Sequence, residues 1–459
     1  MWECLLIVSS DMTARKLNDS VLARWSVLLI VSFTMMFGYI ITDILSPLET
    51  MLEAPYAAGG LGWSSTEYGL YSGAYGFFNV FLLMLFVSGL VLDKMGERFT
   101  GTLACLLMVV GVFTKYYAVA FVSPEAVTSF GFSLFGGDGT GLRTQVLMAS
   151  AGFALFGVGC EMVGISINKV MVKWFTGHEI ALAMGFQVAM ARIGTVVALS
   201  LSPKIATHWS LSAPLLVGLV LVCIGLMIYL VYGVMDCKLE RQLKSTVDES
   251  EKFHVRDILL TLSSRGFWLV TLICLFFYCG IRPFLKFASK LMVVKYGIDP
   301  ETAGIIVALL PFTAIPLTPT FGYLIDRFGK GASVMIAGTA MLTLSHFCFA
   351  LPLHSPAVAI IVIIILGVAF SLLPSALWPS IPKIVPLKRL GTAYSMVFYI
   401  QNIGLTLVPI GIGYINGQDP SFTTAMTIFT VLGSLGIVCS ILLLHADKKA
   451  HYGLQNPNI

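Results

Sequence analysis

Two oppositely charged residues, Glu161 and Arg192, lie in neighbouring apolar stretches where charged side chains are rare. The stretches 143–173 and 178–203 are each long enough to cross a bilayer, which takes about 20 apolar residues. With a helical rise of about 1.5 Å per residue, both charges lie roughly 18–20 Å from the polar turn that joins the stretches. The two charges are therefore predicted at one depth near the bilayer midplane, where an ionisable residue indicates a functional site.

Glu161 and Arg192 together offer the chemistry that a small zwitterion needs. The planar guanidinium of arginine can hold a carboxylate through two parallel hydrogen bonds, and a glutamate carboxylate can accept hydrogen bonds from an ammonium group. A structural ion pair that locks the two helices together is the alternative, although buried ion pairs contribute little net stability. The first interpretation makes both residues substrate ligands in a wet cavity.

A second set of charges, Asp43 and Arg282, occupies equivalent places in two other apolar stretches. The segments YIITD at 39–43 and YCGIR at 278–282 match in position, and a proline follows each of them. These two charges could close an external gate, bind substrate or cap broken helices, and the gate is the preferred interpretation. Lys286, one helical turn beyond Arg282, is expected to extend its amine to the membrane interface.

The composition places these residues in a polytopic membrane protein. Of 459 residues, 57% are hydrophobic and 11% are charged, whereas soluble domains are about 25% charged. The net charge of +4 is spread over loops, which argues against a nucleic-acid partner. Nine cysteines without a CxxC pair predict no metal site, no cofactor is expected, and no phosphate-binding loop for ATP is present. The sequence therefore predicts a membrane protein that is not an enzyme.

Twelve apolar runs predict an all-α membrane protein. The expected spans are 25–48, 65–92, 98–121, 143–173, 178–203, 212–235, 266–296, 300–325, 332–352, 355–384, 388–416 and 420–444. The charged segment 236–265 divides them into two bundles, 25–235 and 266–444. Lysines and arginines alternate onto the face that holds this segment and both ends of the chain, 1–24 and 445–459. Both termini are therefore expected to be cytoplasmic.

The two halves of the chain repeat one another. GLVLDKMG at 89–96 recurs as GYLIDRFG at 322–329, and the run around Arg192 recurs around Asn402. Parallel six-span repeats are a known transporter architecture, in which the substrate site lies near the midplane between the halves. The sequence thus predicts twelve transmembrane helices in two pseudo-symmetric six-helix bundles.

The repeated pattern Gly-x-x-x-Asp-[Lys/Arg]-x-Gly after spans two and eight resembles the loop signature of the major facilitator superfamily. Its aspartates, Asp93 and Asp326, are interpreted as gating residues that can face the positive end of a neighbouring helix. The chain also resembles the lysosomal dipeptide transporter branch of that superfamily. The runs that carry this narrower resemblance are 70–79, 161–175, 190–194, 371–379, 390–394 and 401–404.

The narrower resemblance implies a dipeptide substrate and places Glu161 and Arg192 in the binding cavity. Five further residues are candidates to line that cavity, two on one face of span two and three on spans ten and eleven. They are Tyr71, Asn79, Trp378, Gln401 and Asn402. Trp378 is equally consistent with packing alone.

The chain departs from that branch in two respects. Arg282 and Lys286 add cations to span seven, and the only Asn-x-Ser/Thr site, at Asn18, lies on the face predicted to be cytoplasmic. Because a lysosomal protein is expected to carry luminal glycosylation sites, we expect a relative in the bacterial inner membrane.

The sequence leaves three functions open. The first is a secondary-active or facilitative carrier that moves dipeptides by alternating access, as a monomer, with protons as a candidate coupling ion. The second is a carrier of the same fold for organic anions or single amino acids, which the additional cations would suit. The third is a membrane sensor that does not transport, against which the intact loop signature and the intramembrane charges both count.

Overall fold

Long apolar helices make up most of the computed structural model, which describes residues 17–128, 141–175, 179–242, 262–386 and 389–457. Eleven helical segments of this described part are long and apolar enough to cross a membrane. A twelfth apolar segment is broken into shorter helices. The predicted fold class, an all-α membrane protein, is confirmed.

The first half consists of helices α1 to α8 and a short hairpin. The helices are α1 (Val21–Asp43), α2 (Glu49–Glu53), α3 (Ser65–Gly73), α4 (Phe77–Phe81), α5 (Met84–Phe121), α6 (Thr144–Phe175), α7 (Ile180–His208) and α8 (Ala213–Gln242). The 3-10 turns are Leu17–Asp19, Ser46–Leu48, Tyr56–Ala58 and Ala74–Gly76. Strands β1 (Val127–Thr128) and β2 (Leu142–Arg143) pair antiparallel, with Val127 opposite Arg143.

The second half consists of six long helices in its described part. They are α9 (Arg265–Tyr296), α10 (Pro300–Phe328), α11 (Gly331–Ala350), α12 (Pro356–Ile384), α13 (Leu390–Gln418) and α14 (Thr423–Ala450). Ser264 and Asp299 cap α9 and α10 by accepting hydrogen bonds from backbone amides of the first turn. Because these amides have no partner within the helix, the caps fix where each helix begins.

The second predicted span differs from the single helix expected over 65–92. The chain there forms α3, a 3-10 turn, α4 and the first part of α5. Leu83 interrupts the segment with a φ of 53°, and α5 continues through Gly96, whose φ of 76° marks the turn before the third span. Gly73 and Gly76 lower the local helix propensity, and their bare backbones lie against α13, which favours tight turns over one continuous helix.

Several predicted segments fall partly outside the described residues. The residues outside the described part are 1–16, 129–140, 176–178, 243–261, 387–388 and 458–459. In the described part of the central segment, α8 continues to Gln242, past the predicted end of the span at 235. The charged residues at 236–242 therefore extend a helix.

The ends of the long helices define two faces of the molecule. Leu17 donates a backbone hydrogen bond to the Gln242 side chain, and Lys330 donates one to the Gln455 carbonyl, so these segments share one end of the bundle. We call this end the terminal face, because both ends of the described chain lie there, and the opposite end the distal face.

The two halves pack together on the distal side through small residues. Helix α3 contacts α13, and α7 contacts α10. A Cβ added to Gly69 would lie 2.7 Å from the Gly413 Cα, and one added to Gly304 would lie 2.3 Å from the Leu199 carbonyl oxygen. Small residues thus let backbones of opposite halves meet, as is common between membrane helices.

We expect Gly413→Ala to weaken this contact. The new Cβ would lie 2.5 Å from the Gly69 Cα, so α13 has to move away from α3. Overpacking of this kind costs about 1–3 kcal/mol, and the purified protein should melt at a lower temperature in detergent.

Gly411→Ala is the matched control for this substitution. It makes the same chemical change two residues earlier on α13, where an added Cβ meets nothing within 4 Å. Both variants gain the same helix propensity, so only the packing differs. Equal melting temperatures for the two variants would show that the close contact between α3 and α13 does not stabilise the fold.

Candidate functional site

Glu161 lies near the middle of α6 and is partly exposed. Tyr75 donates a hydrogen bond to Glu161 Oε1 at 2.9 Å. The direct ion pair with Arg192 that the sequence suggested is not formed, and no described cation pairs with this carboxylate. Because a carboxylate has four acceptor positions and a hydroxyl occupies one of them, Glu161 keeps the capacity to accept hydrogen bonds from a ligand.

Arg192 lies on α7 and reaches across to the second half. Its guanidinium carbon is 3.9 Å from the centroid of the Phe370 ring on α12. Stacking on an aromatic face leaves the N–H donors in the guanidinium plane available for other partners. Among the described carboxylates, none forms an ion pair with Arg192. The arginine is thus placed and oriented, but its charge is not matched by a carboxylate.

Arg282 of α9 and Tyr39 of α1 contact one another close to the helix that carries Arg192. The guanidinium carbon of Arg282 is 5.2 Å from the centroid of the Tyr39 ring. A Cβ added to Gly38, next to Tyr39, would lie 3.5 Å from the sulfur of Cys160, the residue before Glu161. The backbone of Gly194, two residues after Arg192, lies against Tyr39. Helices α1, α6, α7 and α9 therefore contribute to one connected site.

An aromatic wall from the second half borders this site. The indole N–H of Trp378 donates to the Tyr278 hydroxyl at 3.3 Å, and the indole stacks on Phe398 with centroids 5.0 Å apart. Tyr278 meets Phe370 edge to face at 6.5 Å. Because Arg192 rests on Phe370, this wall continues up to the guanidinium. Trp378 is therefore connected to the charged groups through aromatic contacts.

The other four cavity candidates lie in packed layers. Tyr71 is 3% exposed and stacks among aromatic rings of the first half, and Asn79 is fully buried. Gln401 accepts a hydrogen bond from the Cys274 thiol at 3.5 Å, and Asn402 donates to a carbonyl of its own helix. The structure does not bring these side chains beside Glu161, and their contact with a substrate stays a prediction.

Sequence reasoning missed the residues that contact the charged groups directly, namely Tyr39, Tyr75 and Phe370. The helical period could have found the two tyrosines. Tyr75 follows Tyr71 by four residues, and Tyr39 precedes Asp43 by four, so each shares a helix face with a residue already singled out. No comparable signal marks Phe370, because a phenylalanine in an apolar span is unremarkable until its contact with Arg192 is seen.

Asp43 is the last residue of α1 and is only 1% exposed. Its carboxylate lies 2.7 Å from Lys286 Nζ and 3.8 Å from an Arg282 guanidinium nitrogen, both on α9 in the other half. Thr195 donates a hydrogen bond to the same carboxylate at 3.1 Å. The structure thus brings Asp43 and Arg282 together across the interface, and Lys286 is the nearer cation.

Lys290 repeats this arrangement farther toward the distal face. Its amine lies 2.6 Å from Glu53 and 3.3 Å from Glu49, and it donates to the Ser65 hydroxyl at 2.7 Å. Glu49 is fully buried, and Lys290 is 8% exposed. The sequence analysis did not single out Lys290 or its two glutamates.

These six charges form what we call the distal ladder, a set of cross-half ion pairs. Its members are Asp43, Glu49, Glu53, Arg282, Lys286 and Lys290. The carboxylates all come from the first half, and the cations are spaced by four residues on one face of α9. The prediction that Lys286 reaches the membrane interface is wrong, because its amine is buried against Asp43.

Asp93 and Asp326 lie near the terminal face. Asp93 is exposed and is 4.0 Å from Lys169, a residue of the same half. Asp326 is half-buried and precedes Gly329, whose φ of 72° resembles that of Gly96 after Asp93. The positive φ explains why glycine is the last residue of both copies of the repeated motif. The gating roles of the two aspartates stay predictions.

The arrangement of the halves indicates how solvent reaches the site. The distal ladder and the glycine contacts pack the distal side. Glu161 and Arg192 are nonetheless partly exposed. Solvent therefore reaches both charged groups although the distal side is packed.

Three comparisons with known proteins bear on this arrangement. The Major Facilitator Superfamily profile matches residues 126–287 and 271–456. The lysosomal dipeptide transporter MFSD1 of Homo sapiens is 30% identical over 330 residues, covering 69% of each chain, and that of Pongo abelii is 27% identical over 447 residues, covering 94% of this chain and 88% of its own. A crystal structure of the nucleoside transporter NupG, at 14% identity, covers 92% of this chain and 98% of its own with a TM-score of 0.66.

Lys286→Met is expected to open the distal side more than Arg282→Met does, because Lys286 is the closer partner of Asp43. Removing one partner of a buried ion pair costs about 3–5 kcal/mol. Opening can be measured by reacting a Ser46→Cys variant with an impermeant maleimide from the distal side, since the turn at Ser46 is buried against α9.

Lys295→Met is the control, because Lys295 lies on the same helix but donates to backbone carbonyls of its own half. It should leave the labelling rate unchanged. Exchanging the charges, with Asp43→Lys and Lys286→Asp combined, should slow labelling again. If Lys286→Met and Lys295→Met label at the same rate, Asp43 and Lys286 do not hold the distal side closed.

Proposed function

The chain belongs to the major facilitator superfamily and is a membrane transporter, and we propose that it carries dipeptides or similar small zwitterions by alternating access. The observation that carries this proposal is the unpaired state of Glu161 and Arg192. A carboxylate and a guanidinium lie at mid-depth in one connected site, and neither is neutralised by a described partner. A ligand with an ammonium at one end and a carboxylate at the other would satisfy both.

A dipeptide also suits what surrounds the two charges. The wall of Phe370, Tyr278, Trp378 and Phe398 offers apolar area to side chains, while hydroxyl and guanidinium groups face the polar backbone. Relatives that are 27–30% identical to this chain are named dipeptide transporters, which supports the same substrate class here. Arg192 would hold the substrate carboxylate, and Glu161 its ammonium.

Alternating access requires a closure on each side of the site. The distal ladder supplies one closure in this proposal, because its ion pairs join the two halves and can separate when the halves rotate. Asp93 and Asp326, in the repeated turns at the terminal face, are assigned to the opposite closure. Proton coupling is left open, since Glu161 is available to titrate but can also remain ionised throughout.

For the cellular setting, we propose a bacterial inner membrane with both termini in the cytoplasm. The terminal face would then be cytoplasmic, in agreement with the lysines and arginines that alternate onto it. A monomer is sufficient, because both halves of the site come from one chain.

The alternative substrate class is organic anions or single amino acids. Arg192, Arg282 and Lys286 favour it by their charge, but a carrier for anions alone gains nothing from a carboxylate at Glu161. Competition of labelled dipeptide uptake by free amino acids and by dicarboxylates separates the two classes. Dicarboxylates that compete better than dipeptides would overturn the zwitterion assignment.

Glu161→Gln is expected to weaken binding of a free dipeptide by roughly 10- to 100-fold, the worth of a hydrogen bond to a charged group. The amide cannot attract the ammonium as a carboxylate does. Binding can be measured as the rise in melting temperature with ligand. An N-acetylated dipeptide, which has no ammonium, should bind both proteins about equally weakly, and a similar loss for both ligands would contradict the assignment.

Arg192→Lys is expected to reduce uptake of a free dipeptide about tenfold or more, although it keeps the positive charge. Lysine cannot form the two parallel hydrogen bonds, and its ammonium stacks differently on Phe370. Uptake into proteoliposomes is the measurement, with melting temperature as the check on folding.

A C-terminally amidated dipeptide provides the ligand control for Arg192. Since it lacks the carboxylate, it should be a poor substrate of the native protein and should lose little more in the variant. Normal uptake by Arg192→Lys, or equal competition by free and amidated peptides, would make Arg192 a structural residue.

A further inference from the structure

Lys115 is a fully buried lysine of α5 that the site described above does not use. Its amine lies 4.1 Å from the centroid of the Phe153 ring, with the Tyr71 and Phe156 rings at 5.4 and 5.6 Å. It also donates to the Ile41 carbonyl at 3.4 Å. No described carboxylate pairs with it.

The aromatic rings and the end of α1 explain how a positive charge can be held there. Carbonyls in the last turn of a helix lack helical partners and form the negative end of the helix dipole. Lys115 binds the Ile41 carbonyl, and Lys286 from the other half binds the next carbonyl, that of Thr42, together with Asp43. The end of α1 therefore receives one lysine from each half.

The two lysines differ in the half to which they belong. Lys286 and Arg282 are on α9, so they move away from Asp43 when the distal side opens. Lys115 is on α5, in the same half as Asp43, and therefore stays next to the last turn of α1. Both amines lie near the Phe153 ring, at 4.1 Å for Lys115 and 5.7 Å for Lys286.

Asp43 cannot remain buried without a cation once α9 has withdrawn, because an unpaired buried carboxylate costs several kcal/mol. We propose that Lys115 is the substitute counter-ion of Asp43, held in its aromatic site while the distal side is closed and transferred to Asp43 when it opens. This inference rests on the alternating access of the proposed function. The charged groups near Lys115 on neighbouring helices are Asp43 and Lys286, and the centroid of the Tyr71 ring lies 5.4 Å from the Lys115 amine.

The test is the effect of Lys115→Met on distal opening. Methionine keeps most of the side-chain volume but cannot pair with Asp43, so the open state loses its counter-ion. Labelling of Ser46→Cys from the distal side should slow by roughly tenfold, the factor that corresponds to 1.4 kcal/mol. Lys286→Met is expected to act in the opposite direction, because it removes the partner of the closed state.

Asp43→Asn distinguishes a counter-ion from a residue that only fills space. Without the carboxylate, no cation is required in the open state, so adding Lys115→Met to Asp43→Asn should leave labelling unchanged. A purely structural lysine would instead show the same effect in both backgrounds, which would overturn the inference. Lys115→Arg keeps the positive charge, so Ser46→Cys should react in this variant nearly as fast as without it. If Lys115→Met fails to fold, slow labelling of Lys115→Arg would overturn the inference.

The two proposals fail in different ways. If the Ser46→Cys variant without further substitutions never reacts with the maleimide, even with substrate present, the distal side does not open. Alternating access and the counter-ion exchange then both fail. If Ser46→Cys reacts, and reacts equally fast when combined with Lys115→Met, alternating access stands and the role of Lys115 is overturned.

Discussion

An ion pair between Asp43 and Lys286 is the interaction on which the rest of this conformation depends. Asp43 is the last residue of α1 and is almost completely buried, so its carboxylate requires a nearby cation in every arrangement of the two halves. In this conformation the cation comes from the opposite half. The ion pair that neutralises Asp43 therefore also holds the two halves together. Further cations, spaced by four residues on α9, form similar ion pairs with the first half toward the distal face.

The contrast between the distal ladder and the mid-depth site is physically meaningful. In the ladder, carboxylates and cations are matched, so their desolvation is offset by pairing. Around Glu161 and Arg192, the partners are a tyrosine hydroxyl and an aromatic face, which orient the charged groups without neutralising them. Only groups of the second kind can bind a charged ligand without first losing an existing ion pair.

The sequence predicted the long helices and singled out Asp43 and Arg282, which the structure brings together. These follow from hydrophobic length, helical rise and repetition, which are local or periodic properties. It did not predict which charges pair, because pairing depends on side-chain reach across the interface. Lys286 illustrates this, since the same stem that could extend to the membrane surface instead bends to Asp43. The break at Ala74–Gly76 was also missed, because it arises where glycines pack against α13.

A closure made of buried ion pairs suits a carrier better than an apolar one would. Well-packed apolar residues often stabilise an interface as much as a buried ion pair does, or more, because the pair must first lose its hydration. When the ion pairs of a ladder separate, water and substitute partners replace part of the favourable interaction that each charged group loses. Apolar surfaces that separate gain no such replacement interactions. The closed and separated states of the ladder can therefore be close in free energy, which the proposed alternating-access cycle requires because it passes through both. As the proposed substitute counter-ion of Asp43, Lys115, beside the end of α1, would narrow this free-energy difference further.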